Sequence, residues 1–258
     1  MIRHGSRTRP GLIMSKIFCA NAGRSGSAFI AGVFRRFTGI PSFHEPFPRL
    51  IGQVLEEVND GRISAETRRI IEAKIIEIEK VNRGGWYCET SQQFIKCFAE
   101  FALASWDDVY CIYIYRNPLD VIMSYFRHLD GSYPDEWLLK PGWKKNLIKI
   151  SGPLSWAELL LFNWLEVRER YLSLKHRFIK SYELDFMRIG NKAEYIKMFE
   201  HFGLEWRSVE MAALWKNESK SPRDTDAQIA WIRKVWNEPG RPGGFIADYD
   251  WLSGQERQ

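Results

Sequence analysis

The sequence has little of what marks a stapled, metal-bound or membrane-spanning chain. Its 258 residues hold four cysteines, Cys19, Cys88, Cys97 and Cys111. None stands in a CxxC pair and each sits in an apolar run, which excludes a zinc ribbon and argues against a disulfide scaffold. They read as buried thiols in a reducing compartment. No apolar stretch approaches the ~20 residues of a bilayer span. The basic opening MIRHGSRTRPGLIMSK offers only Gly11–Met14 as an apolar stretch, too short for a signal peptide. The expectation is a cytoplasmic protein with no membrane partner. Repeats and Pro/Gly-rich linkers are missing too, so residues 1–15 read as a disordered or artificial lead-in to a single domain over 16–258. His128, His176 and His201 are isolated, without ligand spacing, and no metal is expected. The net charge of +5 suits an anionic ligand. The basic residues are interspersed with acids, so the stripe of a nucleic-acid binder is lacking and none is expected as a partner.

What is present is a 45% hydrophobic chain able to bury a sizeable core, with strand and helix patterns in alternation. Lys16–Asn21 is a short apolar run ending in a glycine-rich turn. Phe29, Ile30, Val33, Phe34 and Phe37 then follow helical spacing up to Thr38-Gly39. Ser64 caps a predicted helix to Val81 with Ile71, Ile75 and Ile78 on one face. Gly85–Glu89 predicts a strand, and Gln92–Ala104 a helix with Phe94, Phe98 and Phe101 inward. Val109–Tyr115 is apolar on both faces, as a central parallel strand is. Asn117 and Pro118 start a helix to His128. An amphipathic helix over Trp156–Lys175, a strand over Arg177–Tyr182 and a helix from Asn191 to Gly203 complete the pattern. The expected fold class is three-layer α/β/α with a mostly parallel sheet of four to five strands. Such sheets bind ligands beyond the carboxyl ends of their strands, which directs attention to the turns after Asn21 and Tyr115.

The first turn is Asn21-Ala-Gly-Arg-Ser-Gly-Ser27. Gly23 and Gly26 let successive backbone N–H groups converge before a helix N-terminus, an arrangement that favours an anion. Arg24 adds a permanent charge and a fork of donors, and Ser25 and Ser27 add hydroxyls. The pattern is neither GxxxxGK[ST] nor GxGxxG.

The second turn, Arg116-Asn-Pro-Leu-Asp-Val-Ile-Met-Ser124, resembles the R-N-P-x-D-x-x-x-S run of sulfotransferases that use 3′-phosphoadenosine 5′-phosphosulfate (PAPS). The resemblance implies Arg116 and Ser124 on the donor's 3′-phosphate. It also implies Gly23, Arg24, Ser25, Gly26, Ser27 and Ala28 on the 5′-phosphosulfate. Phe178–Leu184 is similar to that family's Y-E-D-L strand, which would put Tyr182 near the adenine. Arg241-Pro-Gly-Gly244 lies where cytosolic members carry a basic loop, implying Arg241 and Gly243 on the donor. The implied fold is the P-loop-like sulfotransferase fold. The implied reaction moves the sulfuryl group to a hydroxyl or amine of a small-molecule acceptor and leaves adenosine 3′,5′-bisphosphate. No metal is implied, because the sulfuryl group carries less charge than a phosphoryl.

In-line transfer asks the protein to align the reactants, stabilise the leaving oxygen and deprotonate the acceptor. Glu45, in Phe43-His-Glu-Pro-Phe47, is the first choice for the base; its spacing from Arg24 is comparable to that of the catalytic Glu in the tyrosyl- and glycan-modifying branches. His44 is second, and an extended chain would point the two oppositely. Glu89, in Glu89-Thr-Ser91, is the third candidate; Thr90 replaces a lysine of the heparan-type branch. Gly131–Ser155 and Ala212–Gly244 are the expected acceptor loops. The rival readings are a P-loop-like nucleotide-dependent kinase, which lacks its lysine here, and a non-enzymatic adenine-nucleotide binder.

Overall fold

Lys16–Ala20 forms β1, every residue of it buried, and is the middle strand of a five-stranded, wholly parallel sheet. The computed structural model describes residues 15–82, 85–128, 135–150 and 152–206. Helix α1 (Ser27–Phe37) follows β1, then β2 (Ser42–Phe43), α2 (Gln53–Asp60), α3 (Ala65–Val81) and β3 (Tyr87–Glu89). A π-helical turn, Phe94–Phe98, runs into α4 (Ala99–Ser105), followed by β4 (Val109–Tyr115) and α5 (Pro118–His128). Helix α6 (Trp156–Leu174), β5 (Ser181–Asp185) and α7 (Lys192–Phe202) complete the described chain. The strand order is β2-β3-β1-β4-β5. The chain therefore leaves β1 towards one side of the sheet and returns on the other. The switch point falls at the carboxyl ends of β1 and β4, where open α/β sheets place their ligands.

The two faces of the sheet carry separate cores. Ile17, Cys19, Ile112 and Ile114 meet Phe34 and Phe37 of α1 and Met198 and Phe199 of α7. On the other face Phe18 stacks on Phe94 at 4.5 Å, and Tyr113 on Tyr171 at 4.4 Å. All four cysteines are free and buried, and burial raises their thiol pKa values. Ser64, Ser155 and Asn191 cap α3, α6 and α7 through their side chains, which satisfies N–H groups those helices would otherwise leave unpaired.

Three expectations need correction. The last strand begins at Ser181, because Lys175–Arg177 is one more helical turn; Phe178 packs against Phe94 and Ile179 is exposed. The predicted 92–104 helix opens with a π-helical turn, and its Phe101 is only half-buried. Helix α6 is buried nearly all round, not amphipathic: Glu166 and Arg170 are inside, where Glu166 accepts from the Leu147 and Ile148 N–H groups and from Arg170 Nε. Strand β2 and helix α2 were not predicted, one being two residues long and the other lacking an apolar stripe of readable length. Among the described residues no helix is long and apolar enough to cross a membrane. The part of the expected domain beyond 206 lies outside the described residues.

Candidate active site

The turn after β1 is built on left-handed backbone. Gly23 has φ 91°, Arg24 φ 51° and Gly26 φ 76°. Asn21 Oδ1 accepts from the Gly23 N–H at 2.9 Å, and Ser25 Oγ donates to the Gly23 carbonyl at 2.9 Å. A Cβ on Gly23 would fall 2.0 Å from the Tyr125 hydroxyl, so only glycine fits there. Gly26 occupies the N-cap of α1 and supplies no side-chain cap. The helix thus starts with the N–H groups of Ser27 and Ala28 uncapped by a side chain, behind a nest of turned backbone. Ala28 is exposed and Ser27 buried.

The turn after β4 meets the first one directly. Arg24 Nε donates to Ser124 Oγ at 3.2 Å, and Arg116 Nη1 donates to the Arg24 carbonyl. The guanidinium of Arg116 lies 4.0 Å over the Phe186 ring, a cation–π contact. Trp164 Nε1 donates to the Arg116 carbonyl at 2.9 Å and fixes the strand end. The Tyr125 hydroxyl and the Asn163 amide both donate to the Ala22 carbonyl at 3.2 Å. Asn117, exposed, accepts from the Leu119 N–H and starts α5. Arg24 and Arg116 are held below the usual arginine range, chiefly by burial, and the nearby Arg127 adds repulsion to both. Among the described residues none of these three arginines forms an ion pair with a carboxylate. Arg116 Nε is buried with no hydrogen-bond partner among them. Three cations with a spare buried donor make a site for an anion.

The base candidates separate. The chain is not extended at Glu45, whose φ is 47°. His44 turns its Nδ1 to Thr90, 3.1 Å from the carbonyl and 3.2 Å from the hydroxyl. Glu45 Oε1 instead accepts from Gln92 Nε2 at 3.3 Å. Gln92 in turn lies 3.4 Å from the Tyr125 hydroxyl, so Glu45 joins the Gly23 turn through two side chains. Glu89 is buried, 2.9 Å from Lys74 Nζ, and accepts from the Tyr87 hydroxyl at 2.8 Å. Tyr182 lies opposite Ile112, towards the start of β5, and its hydroxyl donates to Glu194 at 2.6 Å; it is not brought to the two arginines. Phe186, just beyond the end of that strand, is. Arg241 and Gly243 lie outside the described residues, as do all of the expected acceptor loop 212–244 and residues 131–134 and 151 of the other.

Sequence reasoning missed Gln92, Lys96, Tyr125, Asn163, Trp164 and Phe186. One sign was available for Lys96, a single charge inside the apolar run Phe94-Ile-Lys-Cys-Phe98.

Two solved structures share the fold. A sulfotransferase domain from the curacin biosynthetic pathway aligns with a TM-score of 0.50 at 12% identity, over 81% of this chain and 80% of that one. A sulfotransferase domain from the Synechococcus PCC 7002 olefin synthase aligns with a TM-score of 0.51 at 10% identity, over 79% and 78%. No family model and no curated protein matches the sequence.

Proposed function

We propose that the protein is a PAPS-dependent sulfotransferase that delivers a sulfuryl group to a hydroxyl or amine of a small acceptor. The observation that carries this reading is the junction of the two turns: Arg24, Arg116 and Ser124 meet at the ends of β1 and β4, the cations there lack carboxylate partners among the described residues, and Arg116 Nε stays unpaired. The fold shared with two sulfotransferase domains supports it.

The residues fit the donor in kind. The turned backbone at 23–26, the Ser27 and Ala28 N–H groups and Arg24 would hold the 5′-phosphosulfate, and Arg116 and Ser124 the 3′-phosphate. When bound, the donor supplies a sulfuryl group on a phosphate leaving group. Arg24 and the N-terminus of α1 stabilise negative charge at that position without reorganising, because the fold already fixes them. Glu45 takes the acceptor's proton; it is half-buried and adjoins the turn through Gln92 and Tyr125. Phe186 holds the Arg116 plane in place.

Calorimetry with adenosine 3′,5′-bisphosphate, with ATP and Mg²⁺, and with RNA tests the proposal. The bisphosphate should bind best. Arg116→Ala should weaken it by about 100-fold, the worth of roughly two charge-assisted hydrogen bonds. Unchanged affinity in that variant rejects the assignment, and preferential Mg²⁺-ATP turnover moves the protein to the kinase reading.

A further inference from the structure

The π-helical turn before α4 buries a lysine that no part of the donor site uses. Lys96 has no exposed surface, and its Nζ donates to Gln92 Oε1 and to the Trp137 carbonyl, both at 2.8 Å. An ammonium only donates, so the side of the Gln92 amide facing it must be the oxygen. The Tyr125 hydroxyl lies 3.4 Å from the same oxygen, and its single proton is drawn to the Ala22 carbonyl at 3.2 Å. The Gln92 NH₂ is left facing Glu45 Oε1 by the Lys96 contact.

We propose that Gln92, turned by Lys96, is a positioning residue that aims the Glu45 carboxylate beside the Ala22–Gly23 turn. The inference rests on the reading of Glu45 as the base. Gln92 also bounds the turn itself, since a Cβ on Gly23 would fall 2.6 Å from its Oε1. Any swing of the amide would therefore disturb the carboxylate and the cradle together. The charged and titratable groups facing Lys96 are Glu45 from the turn after β2, Arg170 from α6 and its own neighbour Cys97. Burial dominates and pushes the ammonium down to about 7, against the pull of Glu45. Tyr125 faces Glu45 from α5. π-Helical turns insert an extra residue and tend to occur at functional sites, and here that turn carries Lys96.

The experiment uses the full chain and its Gln92→Glu, Lys96→Met and Glu45→Gln variants. Nitrogen-15 NMR of the Gln92 side-chain amide at one fixed pH is the readout independent of turnover. Glu45→Gln should shift the Gln92 NH₂ resonances, because the carboxylate they face is gone. Turnover of PAPS with 4-nitrophenol as probe acceptor is the second readout. Gln92→Glu keeps an acceptor for Lys96, so folding is retained, but sets a carboxylate against Glu45. It should lower kcat about tenfold, and move the acid limb of kcat to higher pH. Lys96→Met should lower kcat similarly and move the limb the same way, because a positive charge near the base is lost. A Gln92 resonance blind to Glu45, or a Gln92→Glu profile that coincides with wild type, overturns the proposal. Failure of the wild type to bind adenosine 3′,5′-bisphosphate overturns the functional reading instead, and the NMR arm still decides the orientation of the amide.

Discussion

Replacing Glu89 by Gln separates a structural carboxylate from a catalytic one. Glu89 ends β3 with 2% of its surface exposed, and the side chains of Glu89 and Lys74 are 3% and 4% exposed. Gln has nearly the same volume and still accepts from the Tyr87 hydroxyl, so the packing is kept and only the charge is lost. Lys74 Nζ then retains the Pro46 carbonyl at 3.1 Å as acceptor but no counter-charge. Breaking a buried pair by removing one partner costs about 3–5 kcal/mol. The surviving acceptors place Glu89→Gln near the lower end, about 3 kcal/mol. For a domain of this size each kcal/mol moves Tm by roughly 2–4 °C, so the variant should melt about 6–12 °C lower. Lys74→Met in the same chain removes the stranded ammonium and keeps its apolar stem, and the double variant should recover most of the loss. Affinity for adenosine 3′,5′-bisphosphate, measured below the melting range, should match wild type. A loss under about 1 kcal/mol together with collapsed turnover would refute this reasoning and make Glu89 the base.

Two further outcomes follow from the same geometry. Gly23→Ala puts a Cβ 2.0 Å from the Tyr125 hydroxyl at a φ of 91°; calorimetry should find bisphosphate affinity down at least about tenfold, only partly restored by adding Tyr125→Phe because Gln92 still blocks, and wild-type affinity in Gly23→Ala would contradict the cradle. Lys96 has its folded pKa lowered to about 7 against an ordinary value of 10.5, so between those values the unfolded chain binds more protons and stability rises with pH, by up to about a kcal/mol per unit; subtracting urea-unfolding data for Lys96→Met from wild type should expose that rise above pH 7, and a flat difference would mean the ammonium is not held down.

The parts of the fold legible in the sequence are those whose signals are local. Val109–Tyr115 has the predicted bounds because a strand buried on both faces leaves no polar residue to blur its ends. Asn117-Pro118, Ser64 and Asn191 mark helix starts because a capping side chain and its N–H partner lie within three residues of each other. The last strand was misplaced for a related reason: Phe178 and Ile179 look like strand, yet one packs before the strand and the other faces solvent. What decides its position is pairing with Cys111–Tyr115, some seventy residues away.

The site divides along the same line. The glycine turn and the Arg116–Ser124 run are legible because each is a contiguous backbone device, a turn feeding a helix. The links between them are not. Arg24 reaches Ser124 across a hundred residues, and Glu89 meets Lys74 across fifteen, from a strand to a helix. Lysine is the residue type least expected inside a protein, yet Lys16, Lys74 and Lys96 are all buried here, each donating to an oxygen beyond its own turn of chain or on its own helix. A buried lysine is tolerable only when such acceptors exist, and no local pattern announces them. Apart from the lone charge at Lys96, the residues around Glu45 are therefore invisible in the sequence for the reason that makes them informative in the structure: they are held there by partners from other elements.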